Sequence, residues 1–176
     1  WPRYNQLVYD LSVEKLKKIS PKNKKEKFFY LDYKNRAIIN FGYLYLMQGK
    51  VDIALKYYEK SKEILEITND KQGLAAYYNS VGYIHINQGS IKKGLDFLIK
   101  SLKIREKLDD LDAIATSLTN IGYVHKNQNE FDKALEYFEK SLNIRKLLND
   151  KGGEAMCLGH LGSLYDSQNQ KEKANN

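Results

Sequence analysis

The chain has 176 residues, 42% of them hydrophobic and 29% charged, with two prolines and one cysteine. This is the make-up of a folded globular chain; it excludes a disulfide framework, and no apolar run approaches the ~18 residues of a membrane span. The formal charge is +7, but seven lysines and one glutamate between Lys15 and Lys27 carry nearly all of it. A nucleic-acid footprint runs along a working face, whereas this cluster sits in a connecting segment. Nucleic acid and membrane are therefore both disfavoured as partners.

The spacing predicts a first helix over Trp1–Ser20, with Leu7, Leu11, Leu16 and Ile19 on one face and Tyr4 and Val8 beside it. Ser20-Pro21 ends it, because the residue before a proline avoids the α region. Residues 1–27 then form an N-terminal capping helix, or degenerate repeat, and a lysine-rich loop. Helix resumes near Glu26 and runs to about Met47. From 28 to 176 the chain repeats itself: Phe41–Thr68 recurs as Val81–Leu108 and Ile121–Leu148, and starts again at Leu161–Ala174. Gly42, Gly82, Gly122 and Gly162 lie 40 residues apart. A fixed period of this size means a stacked array, here about three full copies and a truncated fourth. The start at Trp1 and the short last copy read as a piece of a longer protein.

Each copy holds two helices. The first carries Ile38, Phe41, Gly42 and Tyr45; Tyr78, Val81, Gly82 and His85; or Leu118, Ile121, Gly122 and His125. Spacing of i, i+3, i+4, i+7 is one helical face, and a glycine recurring inside it marks a close helix–helix approach. Gly49, Gly89, Asn129 and Asn169 are placed to stop these helices in the left-handed region. The second helix carries Leu55 and Tyr58, Leu95 and Leu98, or Leu135 and Phe138, with small residues at Ala54, Gly94 and Ala134. Asn69-Asp70, Asp109-Asp110 and Asn149-Asp150 end it. Short connections make each copy an antiparallel hairpin.

The run Leu161, Gly162, Tyr165, with Phe41, Gly42, Tyr45 as a variant, followed by Ala134 and Phe138, resembles the tetratricopeptide repeat. The resemblance covers about Tyr33 to Ala174. Two features depart from the usual pattern: Ile38, Tyr78, Leu118 and Leu158 replace the early tryptophan, and the period is 40 instead of 34. The long-period form looks like kinesin light chains, bacterial Rap and NprR peptide-sensing regulators, and sensor segments of bacterial kinases. It implies an all-α, right-handed superhelical solenoid of stacked hairpins that binds proteins or peptides and does no catalysis.

A second stripe runs along each first helix, about 200° from the apolar one. It comprises Arg36, Asn40, Tyr43 and Met47; then Ala76, Ser80, Tyr83 and Asn87, with Asn79 beside them; then Thr116, Asn120, Tyr123 and Asn127. In the family resembled, first helices line the concave groove, and this stripe would face into it. Tyrosine gives flat contact area at low entropy cost, and asparagine can both donate to and accept from a peptide backbone. Tyr43, Tyr83 and Tyr123 serve equally well as packing between adjacent first helices. A clamp for a C-terminal carboxylate is not visible, since Ile39, Asn79 and Thr119 stand where it would need lysine. Arg36 and Lys126 are the groove cations.

The remaining candidates read as structural. His85 and His125 occupy the packing phase of Tyr45 and Tyr165, and two ligands are too few for a closed metal site. His160 falls in the groove phase alone. Cys157 reads as a buried thiol, and Gln48, Gln88, Gln128 and Gln168 as helix-end residues. No cofactor, metal or catalytic group is expected. The functional expectation is a protein- or peptide-binding scaffold, with two alternatives: a sensor segment of a larger bacterial signalling protein, and a homo-oligomer formed through the unfinished last copy. The compartment expected is the cytoplasm, or the extracytoplasmic side for a sensor.

Overall fold

A computed structural model describes residues 2–20 and 22–175, with side chains as far as 169. Trp1, Pro21 and Asn176, expected at the chain start, the end of the first helix and the last copy, lie outside the described residues, as does the side chain of Ala174. Among the described residues there are eight helices and no strand: α1 (Pro2–Lys18), α2 (Lys24–Met47), α3 (Val51–Thr68), α4 (Lys71–Asn87), α5 (Ile91–Lys107), α6 (Leu111–Asn127), α7 (Phe131–Leu147) and α8 (Lys151–Asn175). The fold is all-α, built of helical hairpins. It divides into two compact units, Trp1–Ile84 and His85–Asn176.

Local chemistry sets the breaks between helices. Gly49 and Gly89, with φ of 72° and 80°, close α2 and α4, and Asn129 (φ 58°) closes α6. Asn69, Asp109 and Asn149 take the same left-handed turn after α3, α5 and α7. The next aspartate then caps the following helix: Asp70 Oδ1 accepts from Gly73 N–H at 2.8 Å, Asp110 from Ala113 at 3.1 Å and Asp150 from Gly153 at 2.9 Å. Each such cap is worth about 1 kcal/mol.

In the first unit, α1 packs on α2 and α2 on α3. Leu31, Ile38 and Ile64 form its core, with Tyr9, Leu16 and Tyr57 against them. In the second unit, α5 packs on α6, α6 on α7 and α7 on α8, and α6 also touches α8. Ala134, Phe138 and Leu164 form a core there, flanked by Phe131, Leu135 and Leu161. Full burial of a side chain such as Phe138 contributes about 1.5–3 kcal/mol. The recurring glycine is where the two helices of a hairpin touch: a Cβ at Gly122 would lie 2.8 Å from the Phe138 ring.

Two expectations need correction. On α1 the packed face is not Leu7–Leu11, which are 54% and 48% exposed; the buried residues are Asn5 and Ser12. Asn5, Tyr9, Ser12 and Leu16 repeat the spacing of Ala54, Tyr58, Ser61 and Leu65 on α3. Thus α1 carries the packing pattern of a second helix, set 49 residues upstream of α3 instead of 40, and α2 begins early at Lys24. Asn5 fits where alanine stands elsewhere because its amide is satisfied: Nδ2 donates to Ala37 O at 2.9 Å, and Oδ1 accepts from Asn40 at 3.2 Å. The second correction concerns Asn169, which is no stop, since α8 runs through it to Asn175. Phe131 and Ala134 follow Asn129 and dock as a new helix, whereas Gln170, Lys171, Glu172 and Lys173 follow Asn169 and are good helix formers.

Candidate functional site

Burial on α6 shows how a first helix presents its polar stripe. Ile114, Ala115, Ser117, Leu118, Thr119, Ile121, Gly122, Val124 and His125 are all buried. Thr116 and Asn120 are half-buried, and Tyr123 (48%) and Asn127 reach solvent. On α2, Arg36, Tyr43 (58%) and Met47 are exposed, while Asn40 is half-buried and held by Asn5. On α4, Asn79 and Tyr83 are half-buried and Asn87 is exposed.

Several of these side chains are already engaged. Arg36 Nε meets Asp32 Oδ2 at 2.9 Å, and its guanidinium lies over the Tyr33 ring. Tyr43 adds to burial in pushing the Tyr58 phenol upward. Tyr123 meets His160 edge-on at 6.3 Å, and His160 stacks on Phe138 at 5.4 Å. Burial, and then Lys126, pushes the His160 imidazole below its ordinary value. Lys126 Nζ donates to Ser163 Oγ at 2.5 Å.

The packing phase behaves uniformly where a second helix folds back. Tyr45 stacks on Tyr57, His85 on Phe97 and His125 on Tyr137, each at 5.4 Å. Burial lowers the His85 imidazole, and His125 Nδ1 sits 2.5 Å from Glu130 Oε2. Tyr165, at the same phase on the straight α8, is 50% exposed. Gln48 and Gln128 are helix C-caps, while Gln168 lies inside α8. Cys157 is buried, 3.4 Å from Ser141 Oγ. Among the described residues no three histidines, cysteines or carboxylates gather to hold a metal, and no helix is long and apolar enough to cross a membrane.

One cluster escaped the sequence reading. Arg145, 6% exposed, sends Nη1 to Asp150 Oδ2 at 2.9 Å and to Asp112, and Nη2 to Thr116 Oγ1 at 2.8 Å. Arg105, one period earlier, donates to Ala113 O at 3.1 Å and Ser117 Oγ at 2.5 Å. The third member of this phase is Leu65. In the first unit a cavity of about 210 Å³ lies beside it, lined from α2, α3 and α4 and including the exposed Arg36 and Ala76 and the half-buried Ser80. An in-phase change from leucine to arginine, with an aspartate kept at 70, 110 and 150, was the signal available in the text.

The tetratricopeptide repeat family model matches residues 73–147 and 113–176, more than half of the chain. The chain belongs to the tetratricopeptide repeat family. Curated protein sequences give no significant match. Similar solved structures include BtubC (BKLC) from P. vanneervenii, at 19% identity and TM-score 0.68 over 86% of this chain and 66% of that one. A STAND-type signal-transduction ATPase with a tetratricopeptide repeat sensor, from Pyrococcus horikoshii, gives 19% and 0.72 over 95% of this chain and 27% of that one. Aspartyl phosphate phosphatase F from Bacillus subtilis gives 13% and 0.63 over 97% and 50%. This tetratricopeptide repeat chain therefore spans two thirds of the first and about a quarter of the second. At these identities the likeness is one of fold.

Proposed function

We propose that this chain is a non-catalytic binding module that receives a segment of another protein, or a peptide, on the polar–aromatic faces of its first helices. The observation that carries this reading is α6: apart from its first turn and the half-buried Lys126, it is buried except along the strip from Thr116 through Asn120 and Tyr123 to Asn127. Exposed tyrosine at the matching phase of α2 gives the first unit a face of the same chemistry. Large amphipathic rings left in water, ringed by amide groups, favour contact with an extended backbone. A peptide selected by phage display on the wild-type chain tests it. Replacing Tyr83, Asn120 and Tyr123 together by alanine should reduce its affinity at least tenfold with the circular dichroism spectrum unchanged; unchanged affinity rejects these faces.

A second reading is a sensor segment within a larger signalling protein. It draws on the fold shared with the sensor-bearing STAND ATPase and the phosphatase, of which the chain matches only a part. Its test is the reading frame of the parent gene: a plain stop on both sides of this stretch sinks it. Self-association draws on α8, where Met156, Leu158 and Tyr165 are 46–55% exposed. Sedimentation across a concentration series decides it, a monomer throughout being the negative answer.

A further inference from the structure

The first unit repeats, 80 residues earlier, the arrangement around Arg145. Asp32 stands for Asp112, Asp70 for Asp150, Gly73 for Gly153 and Ser61 for Ser141, while Leu65 stands for Arg145. In the second unit the guanidinium fills the space between the two carboxylates, and Ser141 Oγ is satisfied by Ala115 O and Thr119 Oγ1, both at 2.8 Å. In the first unit the carboxylates remain but the guanidinium is gone, and the cavity of about 210 Å³ lies there.

Two buried polar atoms at that cavity lack a donor, and two exposed carboxylates, Asp32 and Asp70, stand at its edge. Asn35 is 6% exposed and Ser61 1%, and both line the cavity; neither Asn35 Oδ1 nor Ser61 Oγ has a hydrogen-bond partner. Asp70 spends Oδ1 on the α4 cap, and among the described residues its Oδ2 has no hydrogen bond. Asp32 is paired with Arg36, but as an exposed ion pair of small worth. Unmet buried acceptors are costly. Two carboxylates, an amide oxygen and a hydroxyl suit a planar cation with five N–H donors. They repel an anion. The volume suits one side chain and falls short of the ~300 Å³ typical of a small-molecule site.

We infer that this cavity is a socket for an arginine side chain of the partner segment, its guanidinium lying between Asp32 and Asp70 as Arg145 lies between Asp112 and Asp150. The inference rests on the peptide-binding reading and adds to it the residue that the first unit reads. Arg36 is the rim cation and competes for Asp32.

The probe is the tripeptide Ac-Ala-Arg-Ala-NH2, titrated into ¹⁵N-labelled protein and followed by NMR. Its citrulline analogue, uncharged but of the same shape, is the control. Saturable shifts at the Asn35, Ser61 and Gly73 amides are expected, at least tenfold weaker for citrulline and lost in Asp32→Asn/Asp70→Asn, where asparagine keeps the α4 cap. Arg36→Ala should tighten the probe. Equal titration by both peptides, or none by arginine, overturns the inference. A second arm needs no ligand: Leu65→Arg should hold or raise Tm and abolish probe binding. A fall in Tm beyond about 5 °C, as for an unpaired buried charge, overturns it. These arms leave Tyr83, Asn120 and Tyr123 untouched. A phage-selected peptide that ignores Asp32→Asn/Asp70→Asn but loses affinity in the triple-alanine variant refutes the socket alone.

Discussion

The triplets α2–α3–α4 and α6–α7–α8 are one design written twice, 80 residues apart, and they differ in what fills the middle. In the later triplet Phe138 is fully buried under Gly122, Ser141 is bonded on several sides, and Arg145 seals the space between two aspartates. In the earlier one Tyr58 takes the place of Phe138, Ser61 has no partner, and Leu65 leaves a cavity. The lesson is that the turns and apolar stripes fix the backbone of a repeat. Filling is a separate property, decided by a few residues between hairpins.

The largest effect expected from breaking this contrast is at Arg145. Arg145→Leu converts the sealed copy to the open form and should cost about 2 kcal/mol, from lost charge-assisted hydrogen bonds, measured by urea unfolding. Asp112, 73% exposed, rehydrates readily and limits the loss. Next come the glycines. Gly122→Ala places Cβ 2.8 Å from the fully buried Phe138 ring, so overpacking should outweigh the helix gain and cost about 1–2 kcal/mol. Gly42→Ala meets Tyr58 at 3.3 Å and should fall within ~0.5 kcal/mol of wild type, the tyrosine having room to give. Gly162→Ala meets nothing within 4 Å and should stabilise by up to about 1 kcal/mol. If all three alanines behave alike, the two triplets are equally packed and the contrast fails.

The smallest effect is acid sensitivity. His85 and His160 are held below their ordinary imidazole value, chiefly by burial. The unfolded chain therefore binds more protons as pH falls through the ordinary value, near 6.5. Stability from these groups is complete above that value and is lost below it, towards their lower folded values. Thermal melts from pH 7.5 to 5 should show Tm declining, and His160→Gln should flatten the slope. A slope unchanged in that variant removes His160 from the account. Carboxylates such as Glu59, held low by Lys62 and Tyr77, act only at lower pH.

Much of this was legible in the text. Asn69-Asp70 and its two successors marked the breaks because asparagine and aspartate alone supply both a left-handed turn and an N-cap. The stripe Leu118, Ile121, Gly122, His125 was legible because burial there follows one helical face. The α1 face is not legible from its leucine spacing, because Asn5 and Ser12 are the buried residues, with their hydrogen bonds made internally. The early start of α2 hides the register that would show this. The socket is illegible for a different reason: it is defined by the absence of an arginine at position 65, where Leu65 stands, and shows only beside Arg145 closing the same space in the second unit. The stripe residues could be placed on their helices, but their engagement, such as Asn40 with Asn5 or Thr116 with Arg145, depends on neighbours distant in sequence.

The aspartates flanking position 65 have an evolutionary corollary. Leucine and arginine codons of the CUN and CGN classes differ at a single middle base. A gene of this kind can turn a closed repeat into a receptive one, or silence it again, by one point mutation that leaves the hairpin unaltered. Selection could thus shift which of the two copies that keep both aspartates reads a ligand, with no need to invent new architecture.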